Sequence, residues 1–214
     1  LNGASVAMPL ESVLAVDLAL DAEGRWAIAS AGNRTVVRQN GLAVLALRTL
    51  GQPLAVGFRD DTLIAFSREP AQFELFAPDE TSPTVVALPA SSVRDTAHDV
   101  FHRATPAGLA CASCHPEAGD DGTVWSFPEG LRRTQPLRGG LKATAPFHWQ
   151  GDRADMNALL ADVMAERMNA ALPSKEAAHA LVDWLDRLPA LPPPSDLDLA
   201  AVARGHTLFE AACA

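Results

Sequence analysis

The sequence lacks any apolar run long enough to cross a membrane, so no transmembrane segment is expected in these residues. It also lacks a surplus of basic residues: Lys and Arg number 17 against 26 Asp and Glu, a net charge of −9. Nucleic acid is thereby disfavoured as a partner, because its binding draws on a basic face. Cysteine is scarce. Two of the three share one short motif, so no disulfide framework follows. No signal peptide opens the chain, which begins at Leu1. What remains is an ordinary globular composition, 48% apolar and 20% charged, with 214 residues for one large domain or two small ones.

The motif is Cys111-Ala112-Ser113-Cys114-His115. Two cysteines separated by two residues and followed at once by histidine form the c-type haem attachment signature. On one helical turn, thiols three positions apart reach the two vinyl groups of one porphyrin. The next residue then brings its imidazole to the iron as proximal ligand. A zinc site would want a second Cys or His pair at ligand spacing, and none follows. A thioredoxin-like redox pair would open a helix in a βαβ unit, which this neighbourhood does not suggest. Covalent haem c and its iron are therefore expected, on Cys111 and Cys114 with His115 as axial base. That attachment chemistry takes place outside the bacterial cytoplasm, so a periplasmic or exported protein is expected, processed or excised from something longer. An acidic chain carrying haem propionates suits a basic or neutral redox partner protein.

Residues 1–90 predict an all-β segment. Val13 to Leu20 is strand-length, Asp21-Ala22-Glu23-Gly24 is turn chemistry, and Trp26 to Ala29 returns, with Thr35 to Val37 after Gly32-Asn33. The theme recurs in Pro53 to Phe58, the Arg59-Asp60-Asp61 turn and Thr62 to Phe66, then Phe73 to Phe76 and a last short strand between Pro83 and Pro89. A strand, an acidic turn and a strand, repeated after about 38 residues, resembles bacterial propeller blades in which an Asp-Gly turn joins two strands. About two such blades fit, too few to close a ring. An ordinary β-sandwich or meander is the competing expectation.

An all-α part is expected to follow. Ser91-Ser92 caps a helix from Val93 to about Arg103, and His98 and His102 lie four apart on one of its faces. Such a pair reaches a haem, holds a metal, or is simply a polar face. Trp125, Phe127 and Trp149 are flat residues of the kind that line a macrocycle, though any core would welcome them. Arg132, Arg133, Arg138 and Lys142 are cations, of which Arg138 is the chosen partner for a haem propionate. Helices are expected from Met156 to Asn169 and again after Pro173-Ser174, where Leu181, Trp184, Leu185 and Leu188 form an apolar stripe. Pro189 to Pro194 reads as a linker, and Ser195-Asp196-Leu197-Asp198 caps a final helix carrying Leu199, Val202, Leu208 and Phe209. For the sixth iron ligand Met168 is the choice, with Met164, His98, His102 and His148 as rivals.

The order of these parts is similar to that of small c-type cytochromes. More specifically, Thr134-Gln135-Pro136-Leu137-Arg138-Gly139 through Ala145-Pro146-Phe147-His148-Trp149-Gln150-Gly151 resembles the Thr-x-x-Leu-Arg and Ala-Pro-(Phe/Tyr)-His-x-x-Gly segment of the bacterial di-haem cytochrome c peroxidase superfamily. The similarity continues through Glu166-Arg167-Met168 and Trp184 to Pro189, covering residues 91–194. It implies a cytochrome c domain there. Residues 195–214 resemble the Arg-Gly-x-x-Leu-Phe helix that leads into another haem motif, with Cys213 as its first cysteine and a second haem domain expected beyond Ala214. In those peroxidases the Leu-Arg segment usually follows the second haem motif, whereas here it follows the first one visible. That departure favours the broader group of multidomain c-type cytochromes fused to β-propellers. Electron transfer is the leading expectation. A peroxide-reducing enzyme, for which only Glu117 and His148 offer acid-base groups, is the alternative, and a haem redox sensor using the β segment as a binding surface is the third.

Overall fold

The computed structural model describes residues 12–91, 94–192 and 194–213. Its first half contains two four-stranded antiparallel meanders in which sequence neighbours are also spatial neighbours. One comprises β1 (Ala15–Leu20), β2 (Trp26–Ser30), β3 (Thr35–Asn40) and β4 (Ala43–Arg48). The other comprises β5 (Pro53–Arg59), β6 (Thr62–Ser67), β7 (Gln72–Phe76) and β8 (Thr84–Ala87). The expected turns form for the expected reason. Asp21 Oδ1 accepts from the backbone N–H of Glu23 and Arg25, at 3.0 and 2.8 Å, while Asp60 takes the left-handed conformation between β5 and β6. Strand β4 was not foreseen.

The sheets pack on one another with β5 against β1, β2 and β3. Ala27, Val36 and Leu47 from the first meet Leu63, Ala65 and Phe76 from the second, all essentially without solvent contact. Among the described residues the sheets close neither a barrel nor a propeller ring.

A buried polar knot fixes the crossing between them. Glu74 has no exposed surface, and its carboxylate accepts from Leu50 N (2.8 Å), Gly51 N (3.2 Å), Ser67 Oγ (3.1 Å) and Gln72 Nε2 (2.9 Å). Position 51 has to be glycine for this: a Cβ there would lie 2.6 Å from that of Ser67. Arg38, also buried, donates to the carbonyls of Ala77 and Pro78 and so ties β3 to the chain after β7.

The second half is helical but not all-α. Helix α1 (Thr96–His102) packs on α4 (Lys175–Arg187), and the short α2 (Cys111–Cys114) lies beside α1. Asp95, rather than a serine, caps α1, accepting from Ala97 and His98 N–H. The expected cap at Ser92 and start at Val93 lie outside the described residues. A β-hairpin interrupts the expected all-α part, with β9 (Val124–Phe127) pairing with β10 (Gly130–Arg133). Its sequence explains it: Val-Trp-Ser-Phe favours a pleated strand, and Gly130 supplies the positive φ that the turn needs.

The helix expected over Met156–Asn169 is shorter. After α3 (Met156–Ala161) the chain widens into a π-helical turn, Asp162–Arg167, and Met168 closes it. Ser174 caps α4 as expected, accepting from Ala177 N at 3.2 Å, and α4 buries Ala178, Leu181, Val182 and Leu185. The final helix, α5 (Leu199–Ala212), is capped by Asp198 and has no buried residue. No helix among the described residues is long and apolar enough to cross a membrane. The two halves touch: Leu14 packs on the helical core, Arg34 pairs with Asp99 at 2.8 Å, and Ala104 N donates to Gly32 O.

Candidate functional site

Cys111, Ala112, Ser113 and Cys114 form the single turn α2, and His115 N–H closes it on Cys111 O at 3.0 Å. The Ser113 hydroxyl accepts from Ala110 N at 3.0 Å and so starts the turn, a role its sequence position did not announce. Ala112 and Cys111 pack into the helical core beside Phe101, Leu181 and Leu185, which sets the turn's inner face. Past the motif, Pro116–Ala118 makes a tight turn, and Leu137 N donates to Ala118 O at 2.8 Å, stitching the Leu137-Arg138 loop to it. That loop is held at its far side by Arg138 Nε donating to Pro189 O at 2.6 Å, beyond α4.

Both motif thiols are free, as is Cys213, which is exposed at the end of α5. Burial pushes the Cys111 thiol up to about 11 and raises that of Cys114 too, where Asp121 adds to the effect. A redox-active Cys-x-x-Cys pair needs the opposite, a thiol made acidic by its surroundings. Burial pulls the His115 imidazole below its ordinary range, against the opposing backbone of Gly119 and Gln135. The ring therefore stays neutral, the form that ligates metals. Its Nδ1 is buried without a hydrogen-bond partner, a state that costs about 1–3 kcal/mol and marks a group with work outside the protein's own network. Two free thiols on one turn beside a neutral imidazole with one buried, unpartnered nitrogen fit a haem c. They fit a zinc site poorly, since no group of three or more His, Cys, Asp or Glu side chains converges among the described residues.

Met168 and Met164 are both buried, with 6% and 7% of their surface exposed, yet neither is part of the apolar cluster that holds Cys111. Met164 lies in the π-helical turn and Met168 closes it, a deformation frequent at functional sites. No sequence signal marks such a turn.

The rival ligands are engaged elsewhere. The rings of His98 and His102 stack at 3.9 Å, both meet Trp184 edge-on, and His102 Nδ1 bonds His98 O at 2.8 Å. They form an aromatic cluster over α4 rather than a converging donor pair. Burial, and then the neighbouring His102, pull His98 down to about 4. Its native form thus stays neutral while an unfolded histidine of ordinary pKa, about 6.5, binds a proton. Stability should be full above pH 6.5 and fall as pH drops from there to 4. In thermal melts across that range, His98→Asn should flatten the dependence; an unaltered slope would remove His98 as its source.

His148 is committed at both nitrogens, Nδ1–H donating to Asp152 Oδ1 (3.0 Å) and Nε2 accepting from Arg167 (3.3 Å). Against burial, which alone would raise it, the bond from His148 and the charge of Arg153 hold the Asp152 carboxyl below its ordinary range. Arg167 also lies 4.7 Å over the Phe127 ring, joining the π turn to the hairpin. The sequence reading missed this bridging role.

Glu117 is exposed in a left-handed turn conformation, apart from the His148 network's hydrogen bonds. Trp149 is 47% exposed, donating to Arg133 O at 3.0 Å, and Trp125 reaches Thr134 from the hairpin. Arg133 pairs with Asp120, and Lys142 with Asp183. Comparison with protein-family models and with curated proteins gives no match.

Proposed function

We propose that this chain is part of an exported, periplasmic c-type cytochrome, similar to the di-haem cytochrome c peroxidase-like superfamily, that passes electrons to a partner protein. One observation carries the reading: two free thiols on the turn Cys111–Cys114, next to a His115 ring with a buried, unpartnered nitrogen. When bound, the haem iron would supply a one-electron couple.

The chain's own residues do the rest. Cys111 and Cys114 would anchor the macrocycle, and the α1–α4 core holds their turn still. His115, kept neutral by burial, offers its lone pair. Met168, with Met164 as its rival, would offer a thioether to the iron, a ligand that favours the reduced state. Arg138, fixed through Nε to Pro189 O, keeps the rest of its fork for a propionate. Residues 91–194 form the cytochrome domain on this reading, residues 1–90 two propeller-like blades, and residues 195–214 the opening of a second haem domain.

Electron transfer is better supported than peroxide reduction. Glu117 points to solvent from a turn, and His148 has no free nitrogen with which to move a proton. The reduced, haem-loaded protein should be low-spin, and the oxidised form should show the weak long-wavelength sulfur-to-iron band. Met168→Ala should abolish that band and Met164→Ala leave it. The reverse pattern would transfer the ligand to Met164, and high-spin iron that turns over peroxide would move the reading to an enzyme.

A further inference from the structure

We propose that a closed ring of five side chains holds the π-helical turn open and so sets where the sulfur of Met168 stands. His148, Asp152, Arg153, Asp162 and Arg167 are then positioning residues for an axial methionine. The inference rests on the cytochrome reading above and deepens it.

The ring is complete. His148 Nδ1 bonds Asp152 Oδ1 (3.0 Å), and Asp152 Oδ2 accepts from Arg153 (2.7 Å). Arg153 also donates to Asp162 Oδ1 (3.1 Å), and Asp162 Oδ2 faces Arg167 Nε at 3.8 Å. Arg167 donates back to His148 Nε2 (3.3 Å). Phe147 and Arg153 exchange backbone hydrogen bonds of 2.8 and 3.3 Å, a β-bridge that fixes the near side of the ring. The far side is the turn itself, since Asp162 and Arg167 are its first and last residues.

That placement couples ring and turn. In a regular α-helix, residues five apart sit about 140° apart round the axis and face different ways. Here Met168 N donates to Val163 O at 3.0 Å, five residues back, and the wider turn brings Asp162 and Arg167 to one side. The ring needs the wide turn, and the ring secures the turn at both ends. Asp162 is only 10% exposed, and the charge of Arg167 compensates its buried Oδ2 in place of a hydrogen bond.

Strain marks both margins of the assembly. His148 in the ring and Asn169 just past Met168 have φ of 74° and 48°, which non-glycine residues keep only where surrounding contacts impose it. Were the turn to relax to α geometry, the chain beyond it would rotate by about 100°, one helical residue, and carry Met168 with it. No residue separates Met168 from the clamp at Arg167, so the sulfur follows the ring directly.

The test is spectroscopy of the exported, haem-loaded protein. Arg167→Ala should keep its covalent haem and far-ultraviolet dichroism, lose the sulfur-to-iron band and fall in potential. Imidazole, a competitor for the sixth position, should bind that variant about 10–100-fold more tightly, the usual effect of removing a group that orients a metal ligand. His148→Gln keeps an acceptor for Arg167 and should retain the band, whereas His148→Leu should lose it. Asp162→Ala repeats the test should Arg167→Ala fail to mature. A destabilising change elsewhere, Glu74→Leu in the β half, should leave the band as it is. A band and an imidazole affinity unchanged in Arg167→Ala and Asp162→Ala would overturn the proposal and leave the cytochrome reading intact. A wild type without haem, or without the band, would remove the methionine ligand and the proposal with it.

Discussion

A Cys111→Ser, Cys114→Ser double variant, exported in a host with haem-attachment machinery, should emerge without covalent haem. Its pyridine haemochrome signal should fall to background, while the wild-type chain keeps its colour through acidic acetone extraction. The size of the effect follows from the bonding. Thioether bonds alone fix the macrocycle covalently, and the thiols of α2 are the only two cysteines in the attachment motif. Each single variant should keep one thioether and a shifted haemochrome band. His115→Ala separates attachment from ligation, since it leaves both thiols in place but removes the axial base. Haem that still withstands extraction from the double variant would refute the assignment of Cys111 and Cys114.

Glu74→Leu should produce the largest loss of stability in the β half. Four donors converge on that carboxylate, two of them backbone N–H groups of the crossing between the sheets. Leucine has no acceptor, and three of the four donors it strands make buried bonds, that of Leu50 being part-buried. At about 1–3 kcal/mol for each group left unsatisfied, a total of about 3 kcal/mol or more is expected. For a domain of this size that lowers Tm by roughly 10 °C or more. Glu74→Gln keeps one acceptor oxygen and should cost less. Calorimetry showing wild-type melting for both variants would mean that water or a shifted backbone satisfies the donors instead.

What was legible in the sequence was whatever depends on near neighbours. The Asp21 turn, the Asp60 turn and the caps at Ser174 and Asp198 are each decided within about four residues, and all formed. The repeat was visible for the same reason, since alternation and turn chemistry recur in each copy. Strand β4 escaped notice because Ala43 to Leu47 is apolar without clear alternation, a pattern that helix and strand share. The hairpin of β9 and β10 was not foreseen, because its aromatics suit a macrocycle wall or a core as well as a strand; Trp125 and Trp149 bond locally to Thr134 and Arg133.

Non-local features were out of reach. Nothing near Glu74 in the sequence says that its carboxylate will be enclosed by residues 50 and 51. Nor does anything around Asp162 announce a wide turn. For the candidate site, the motif named its own residues, but the company they keep came only with the fold. His98 and His102 proved to stack on each other, and His148 proved to be held by Arg167 and Asp152.

The most direct measurement is the haem stoichiometry of the exported wild-type chain, taken by pyridine haemochrome alongside a titration of free thiols. One covalently bound haem on Cys111 and Cys114, with neither of those thiols reactive, is the expected result. A colourless, folded protein in which both thiols titrate as free would contradict it.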